Sequence, residues 1–113
     1  LNMSYKVAVA STDGNIIDLH FGHADRFYIY SVSEQGNTLI ESRSVKKYCA
    51  GPAECSEDKM DTLKAVSDCN AIILKVIGLS PKKMLEEMGV KVFSMVDTVD
   101  SGLKDVYSVL SQN

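Results

Sequence analysis

The feature that most constrains the fold is a short apolar run in the second half of the chain, residues 71–76 (AIILKV), interrupted only by Lys75. Such a run, bounded by polar segments, is expected of a strand buried on both faces of a sheet. Segments with helical spacing precede and follow it, and residues 90–95 form another strand-like segment. Strands that alternate with helices pair in parallel through right-handed crossovers, so this half predicts helices packed on a sheet.

The first half has the pattern of antiparallel strands. Residues 5–11, 26–32 and 38–46 are rich in β-branched and aromatic residues or alternate in polarity. Asp13-Gly14 is a strong hairpin signal, so we expect a brief return strand at 16–19 and then an irregular loop. The predicted order is βββαβαβα, an α/β fold with a mixed five-stranded sheet, helices packed on it and the strand order of ribonuclease-H-like folds.

Capping residues mark the predicted helices. Ser56, Ser80 and Thr98 are the expected N-caps, and Pro81 takes the first helical position of the second helix. Gly89 is expected to end that helix in a left-handed conformation.

Composition restricts the class of protein. The 113 residues are 45% hydrophobic and 24% charged, as in one globular domain, which we place at residues 3–112 with 1–2 as a cloning remnant. No apolar run approaches the roughly 18 residues of a membrane span. The net charge of −3 argues against a nucleic-acid partner. Three cysteines without a visible export signal predict reduced thiols in the cytoplasm, and nothing suggests an extended interface, so we expect a monomer.

Both histidines of the chain lie in one short motif, His20-Phe21-Gly22-His23, in the expected loop. Neutral imidazole is a common ligand for transition metals, and glycine lets a loop approach a ligand closely. Ordinary capping or packing by the two rings is the alternative that the residues leave open.

The cysteines form a second candidate site. Cys49 and Cys55 are spaced C-x5-C, unlike the C-x2-C of zinc fingers. Lys46 and Lys47 precede Cys49 and favour its thiolate, the form that iron–sulfur species and zinc bind. Two ordinary loop cysteines remain the alternative, while Cys69, at the start of the apolar run, is expected in the core.

Basic residues offer a place for an anion. Arg43, Lys46 and Lys47 are clustered, and Lys75 lies near the carboxyl end of a buried strand, where open α/β sheets usually bind ligands. A solvated basic face is the alternative. Nuclease chemistry is excluded because the first and fourth strands carry no carboxylates for a two-metal site, and neither G-x-x-x-x-G-K nor G-x-G-x-x-G occurs.

Several segments together resemble the dinitrogenase iron–molybdenum cofactor biosynthesis family, including its NifX-like members and the C-terminal domain of NifB-like members. The segments are KVAVAS at 6–11, HFGHADRF at 20–27, YCAG at 48–51 with Cys55, DCNAII at 68–73 and MGV at 88–90. The resemblance implies a ribonuclease-H-like domain without nuclease chemistry.

The resemblance also implies a role in metallocluster assembly. The chain would bind an iron–sulfur cluster or the iron–molybdenum cofactor or its precursor, and pass it between assembly proteins without catalysis. His20 and His23 become candidate metal ligands, and Phe21 and Gly22 of the same motif are expected to be cofactor-binding residues as well. Cys49 and Cys55 become secondary ligands, and Lys46 and Lys47 charge partners in the cofactor site. Two alternatives stay open: a thiol-redox or zinc module built on the two cysteines, and a regulatory protein-interaction domain without metal.

Overall fold

A computed structural model describes residues 4–45 and 59–112 of the chain. Within these two ranges, five strands and three helices follow the predicted order βββαβαβα, and a 3-10 turn lies between the first two strands, at Phe21–His23. The elements in chain order are β1 (Tyr5–Val9), β2 (Arg26–Ser33), β3 (Gly36–Ser44), α1 (Lys59–Val66), β4 (Ala71–Leu74), α2 (Leu79–Glu87), β5 (Lys91–Ser94) and α3 (Val99–Leu110).

The strands form one mixed sheet in the order β3-β2-β1-β4-β5. The first three strands pair antiparallel, and β4 joins β1, and β5 joins β4, in parallel. This confirms the predicted meander and the parallel pairing of the second half. The order is compatible with the expected ribonuclease-H-like arrangement.

Alternate residues of the central strands enter two separate cores. Ala8 and Ile72 belong to a core that α1 and α2 cover, which we call the α1/α2-side core. Val9 and Ile73 belong to a core that α3 covers, the α3-side core. All four residues of β4 are buried, which explains its unbroken apolar sequence: a central strand covered on both faces has no solvent side.

Thr98 and Gly89 act as predicted. The backbone N–H of Ser101 donates to the Thr98 hydroxyl at 3.2 Å, which caps α3. Gly89 has a φ of 88° just after α2, a left-handed conformation that suits glycine. The Ser56 cap lies outside the described residues.

Two local predictions are wrong. Gly14 does adopt a left-handed turn conformation (φ 83°), but the chain after it does not return along β1. Ile16 instead forms an isolated antiparallel bridge with Thr98, because the end of β5 and the start of α3 offer a partner there. Helix α2 has Gly78, not Ser80, as its N-cap, so Pro81 lies in the first turn, where its missing N–H leaves no bond unmade.

The parallel strands are shorter than predicted at their carboxyl ends. The segments expected at 5–11 and 71–76 end as strands at Val9 and Leu74, two residues early. The chain then leaves the sheet in loops that gather at this edge. None of the helices in the described residues is long and apolar enough to span a membrane.

Candidate functional site

The histidine motif lies at the edge of the sheet where β1 and β4 end. His20 forms an isolated parallel bridge with Val76, two residues past β4. The Phe21 N–H donates to the Val76 carbonyl at 2.8 Å, and the Lys75 N–H donates to the Leu19 carbonyl at 3.0 Å. These bonds tie the loop to the continuation of β4, so its backbone is fixed although its histidines are exposed.

A single 3-10 turn brings the two imidazoles together. The His23 N–H donates to the His20 carbonyl at 3.0 Å, and Gly22 lies between them in the turn. Residues three apart in a 3-10 turn project on the same side. The ring centroids of His20 and His23 are accordingly 5.4 Å apart, with their planes inclined by 33°.

The spacing of the rings suits two ligands of one metal ion. An ion bound to a ring nitrogen at about 2.1 Å lies about 3.2 Å from the ring centroid, so two imidazoles at a tetrahedral angle have centroids about 5.2 Å apart. The separation of His20 and His23 is 5.4 Å. In residues 4–45 and 59–112, no group of three or more His, Cys, Asp or Glu side chains is placed to hold a metal ion.

The side chain of Phe21 anchors the histidine motif in the core. Its side chain is fully buried in the α1/α2-side core, and its ring centroid lies 6.1 Å from that of Phe27 on β2. Burial of the residue between two exposed histidines fixes the turn by packing as well as by hydrogen bonds.

A shallow cavity of about 260 Å³ adjoins His23, lined also by Thr12, Leu19, Asp25 and Arg26. The Val45 N–H, just past β3, donates to the Asp25 carbonyl at 2.9 Å. The described chain before the predicted cysteine segment therefore ends beside the histidine motif.

Cys49, Cys55, Lys46 and Lys47 lie outside the described residues. Of the predicted set, the structure brings together His20, Phe21, Gly22 and His23.

Lys75 and Arg43, the other two basic residues considered as anion-binding candidates, have different environments. Lys75 is exposed directly after β4, the carboxyl-end position that its place in the sequence indicated. Arg43 donates to both carboxylate oxygens of Asp68, at 2.7 and 3.1 Å, and also to Glu41 and to the Ala65 carbonyl. These hydrogen bonds raise the pKa of the guanidinium and hold the pKa of the Asp68 carboxyl well below its usual range. Arg43 ties β3 to the end of α1 and is not free for an anion.

Cys69 is a core residue, as predicted. Its side chain is buried in the α1/α2-side core. Burial, with a smaller contribution from the neighbouring Asp68 charge, raises the pKa of its thiol to about 12. A thiol in this state is neither a nucleophile nor a ready metal ligand.

Sequence reasoning missed several exposed apolar residues in the segments that follow β4 and β5, of which Val76 is the bridge partner of His20. Val76, Leu79 and Val96 are 44%, 69% and 73% exposed, far more than is usual for such residues. Val76 lies two residues after the end of β4, and Val96 lies two residues after the end of β5. The last residues of these strands, Leu74 and Ser94, are paired in the sheet. The only available signal was the apolar run 71–76, which continues past the end of β4.

Comparison with known proteins identifies relatives of this chain. It is 40% identical over 109 residues to the FeMo cofactor biosynthesis protein NifB of Klebsiella pneumoniae, covering 92% of this chain and 22% of that protein. It is 38% identical over 103 residues to the NifB protein of Frankia alni, covering 88% of this chain and 20% of that protein. The chain thus spans about a fifth of the length of these relatives.

Solved structures share the fold at low sequence identity. The crystal structure of PH0822 superposes with a TM-score of 0.70 at 16% identity, covering 92% of this chain and 89% of that one. The crystal structure of a protein of Methanocaldococcus jannaschii, described as a dinitrogenase, superposes with a TM-score of 0.59 at 18% identity. The superposition covers 95% of this chain and 91% of that one. The family model described as dinitrogenase iron-molybdenum cofactor matches residues 3–109. The chain therefore belongs to the dinitrogenase iron–molybdenum cofactor family.

Proposed function

We propose that this chain binds an iron–sulfur cluster, or the iron–molybdenum cofactor or its precursor, and carries it between assembly proteins without catalysing a reaction itself. The cluster is cargo that arrives and leaves. Membership of a family named for this cofactor, and likeness to NifB proteins, support a role in its assembly.

One observation carries the proposal: two exposed imidazoles, 5.4 Å apart, on a backbone that hydrogen bonds hold in place. Preorganised ligands lose little conformational freedom on binding. His20 and His23 are the proposed ligands, and Gly22, which lies between them in the turn, adds no side chain there. Phe21 was expected among the cofactor-binding residues, but its side chain is fully buried, so we propose that it supports the histidines from the core and does not touch the cargo.

A small number of protein ligands is an advantage for a carrier. A cluster held at many points leaves slowly, whereas two imidazoles at an exposed edge leave other metal positions free for an acceptor's ligands. Iron–sulfur cargo is anionic, and the exposed Lys75 lies one residue from the backbone partner of His20. Lysine charge offsets that of the cargo without a directional bond, which leaves the cargo free to go.

Cys49 and Cys55 are proposed as secondary ligands, with Lys46 and Lys47 as further charge partners. Their support is the hydrogen bond of Val45 to Asp25, which brings the described chain before them within two residues of His23. Thiolates are good ligands for iron–sulfur species. The proposed partners are other metallocluster assembly proteins, in the cytoplasm, where such thiols stay reduced.

The test is an anaerobic titration with a [4Fe–4S]²⁺ cluster assembled from equal amounts of ferrous and ferric iron with sulfide, followed by visible absorption and iron per chain. Three variants are compared with the parent protein. His20→Ala/His23→Ala removes the proposed primary ligands, and Cys49→Ser/Cys55→Ser removes the secondary ones. Glu34→Ala/Gln35→Ala alters two exposed residues in the β2–β3 turn, at the far end of β2 from the site, and serves as the matched control.

We expect stoichiometric binding by the parent and control proteins, loss of binding in the histidine variant and weaker binding in the cysteine variant. Binding that survives loss of the histidines but not of the cysteines moves the site to a thiol module, which one zinc per chain or a disulfide on mild oxidation would then identify. If neither cluster nor zinc binds the parent protein, the carrier proposal fails and a regulatory interaction domain is favoured.

A further inference from the structure

The loop that carries the histidines is anchored in both cores. Ile17 is the only fully buried side chain among residues 12–20, and it lies in the α3-side core. Phe21 lies in the α1/α2-side core, on the other face of the sheet. The loop therefore passes over the sheet edge from one core to the other, and His20 lies between the two anchors.

Backbone bonds tie the first anchor to the start of α3. The Ile17 N–H donates to the Asp97 carbonyl at 2.9 Å, and the Val99 N–H donates to the Asn15 carbonyl at 2.8 Å. The bridge between Ile16 and Thr98 lies between these two bonds. A shift of Ile17 is therefore resisted by α3, and a shift of α3 moves Ile17.

Gly102 provides the space that Ile17 occupies. A Cβ at Gly102 would lie 2.7 Å from the Ile17 Cδ1 and 3.1 Å from the Met95 Sδ. The first distance is shorter than real Cβ contacts, so any side chain here must displace the Cδ1 end of the Ile17 side chain. Glycine in a helix interior is unfavourable relative to alanine, and in α3 its small size is what allows this approach.

We propose that the contact between Ile17 and Gly102 positions His20 and His23, so that α3, which holds none of the proposed ligands, sets the geometry of the site. Protein interiors are close-packed, and added volume is accommodated by shifts of side chains and backbone. Ile17 is three residues from His20, and Phe21 prevents the far side of the loop from following. The relative position of the imidazoles then changes. The inference rests on the proposed function for the role of the site.

The test is a double-mutant cycle. Gly102→Ala adds the Cβ that meets Ile17, and Ile17→Val removes the Cδ1 that it meets, so the double variant relieves the contact with Ile17. Gly89→Ala is the matched control, because a Cβ at Gly89 meets no atom within 4 Å while its φ of 88° makes alanine strained. It destabilises the protein without touching the loop.

Two readouts are used for each variant. Co²⁺ binding is followed by visible absorption, which responds to coordination geometry. The imidazole resonances of His20 and His23 are recorded by NMR at one fixed pH without metal.

We expect Gly102→Ala to weaken Co²⁺ binding about threefold or more and to shift both sets of imidazole resonances. The double variant should return both readouts to the parent values. Gly89→Ala should lower the melting temperature and leave both readouts unchanged. If Gly102→Ala does not fold, Ile17→Val alone, which removes one methyl group, should still shift the imidazole resonances because the anchor is loosened.

Unchanged imidazole resonances in every folded variant of Ile17 or Gly102 would overturn the inference, as would a double variant that is no closer to the parent than Gly102→Ala. The proposed function fails separately, if the parent protein binds neither Co²⁺ nor cluster through its histidines. In that case the resonances of the metal-free protein still decide whether α3 positions the loop.

Discussion

Replacing Phe21 tests whether the histidine motif is held by the core. Its side chain is fully buried, and truncation of such a phenylalanine to alanine costs about 3–5 kcal/mol, while a change to leucine costs about 1–1.5 kcal/mol. A domain of this size has a total stability of about 5–15 kcal/mol, and about 4 °C is lost per kcal/mol. We expect Phe21→Ala to melt about 12–20 °C lower than the parent, and Phe21→Leu about 4–6 °C lower.

Phe27 provides a matched comparison for this change. It is also fully buried in the α1/α2-side core, beside Phe21, but lies on β2 and not between the histidines. Phe21→Leu and Phe27→Leu should therefore lose similar stability in urea unfolding, while only Phe21→Leu weakens Co²⁺ binding. A cost below about 1 kcal/mol for Phe21→Ala, or equal loss of Co²⁺ binding in both leucine variants, would refute the reasoning.

Three further predictions concern the described framework. Arg43 lowers the pKa of the Asp68 carboxyl, so the ionised carboxylate contributes about 1 kcal/mol to the free energy of unfolding at neutral pH. This contribution should be lost progressively as the pH falls below about 4. In urea titrations, Asp68→Asn should remove that part of the pH dependence. Thr98→Ala removes the cap of α3 and should cost about 1 kcal/mol, measured by thermal unfolding against Thr98→Ser, which keeps the hydroxyl. Cys69, in a variant whose other two cysteines are serine, should resist a thiol reagent at pH 8 until urea is added, since its pKa is raised to about 12; rapid labelling of the folded protein would contradict its burial.

Most of the element order could be predicted from the sequence because it depends on local patterns. The apolar run of β4 reflects burial on both faces, and Thr98 caps α3 through a bond to a residue only three positions away. Gly89 ends α2 because its own backbone angles permit it. Interactions within a few residues leave a signature that a pattern can show.

Predictions that depended on a distant partner were less successful. Asp13-Gly14 forms its turn, yet Ile16 pairs with Thr98, because the choice of partner is made where β5 and α3 meet the loop. Arg43 was a candidate for an anion, but it pairs with Asp68, 25 residues along the chain. Neither partner is visible in the sequence around these residues.

The candidate site also has features that local sequence patterns predict and features that depend on distant contacts. The sequence alone was enough to identify the His20–His23 motif and the family, since both depend on residue types at fixed spacings. Only the tertiary structure decided that the motif lies at the carboxyl edge of the sheet, that Phe21 is buried beneath it and that Ile17 meets Gly102 on α3. The physical reason is that those contacts join segments far apart in the chain, and they exist only when the sheet has formed and both cores have closed around the loop.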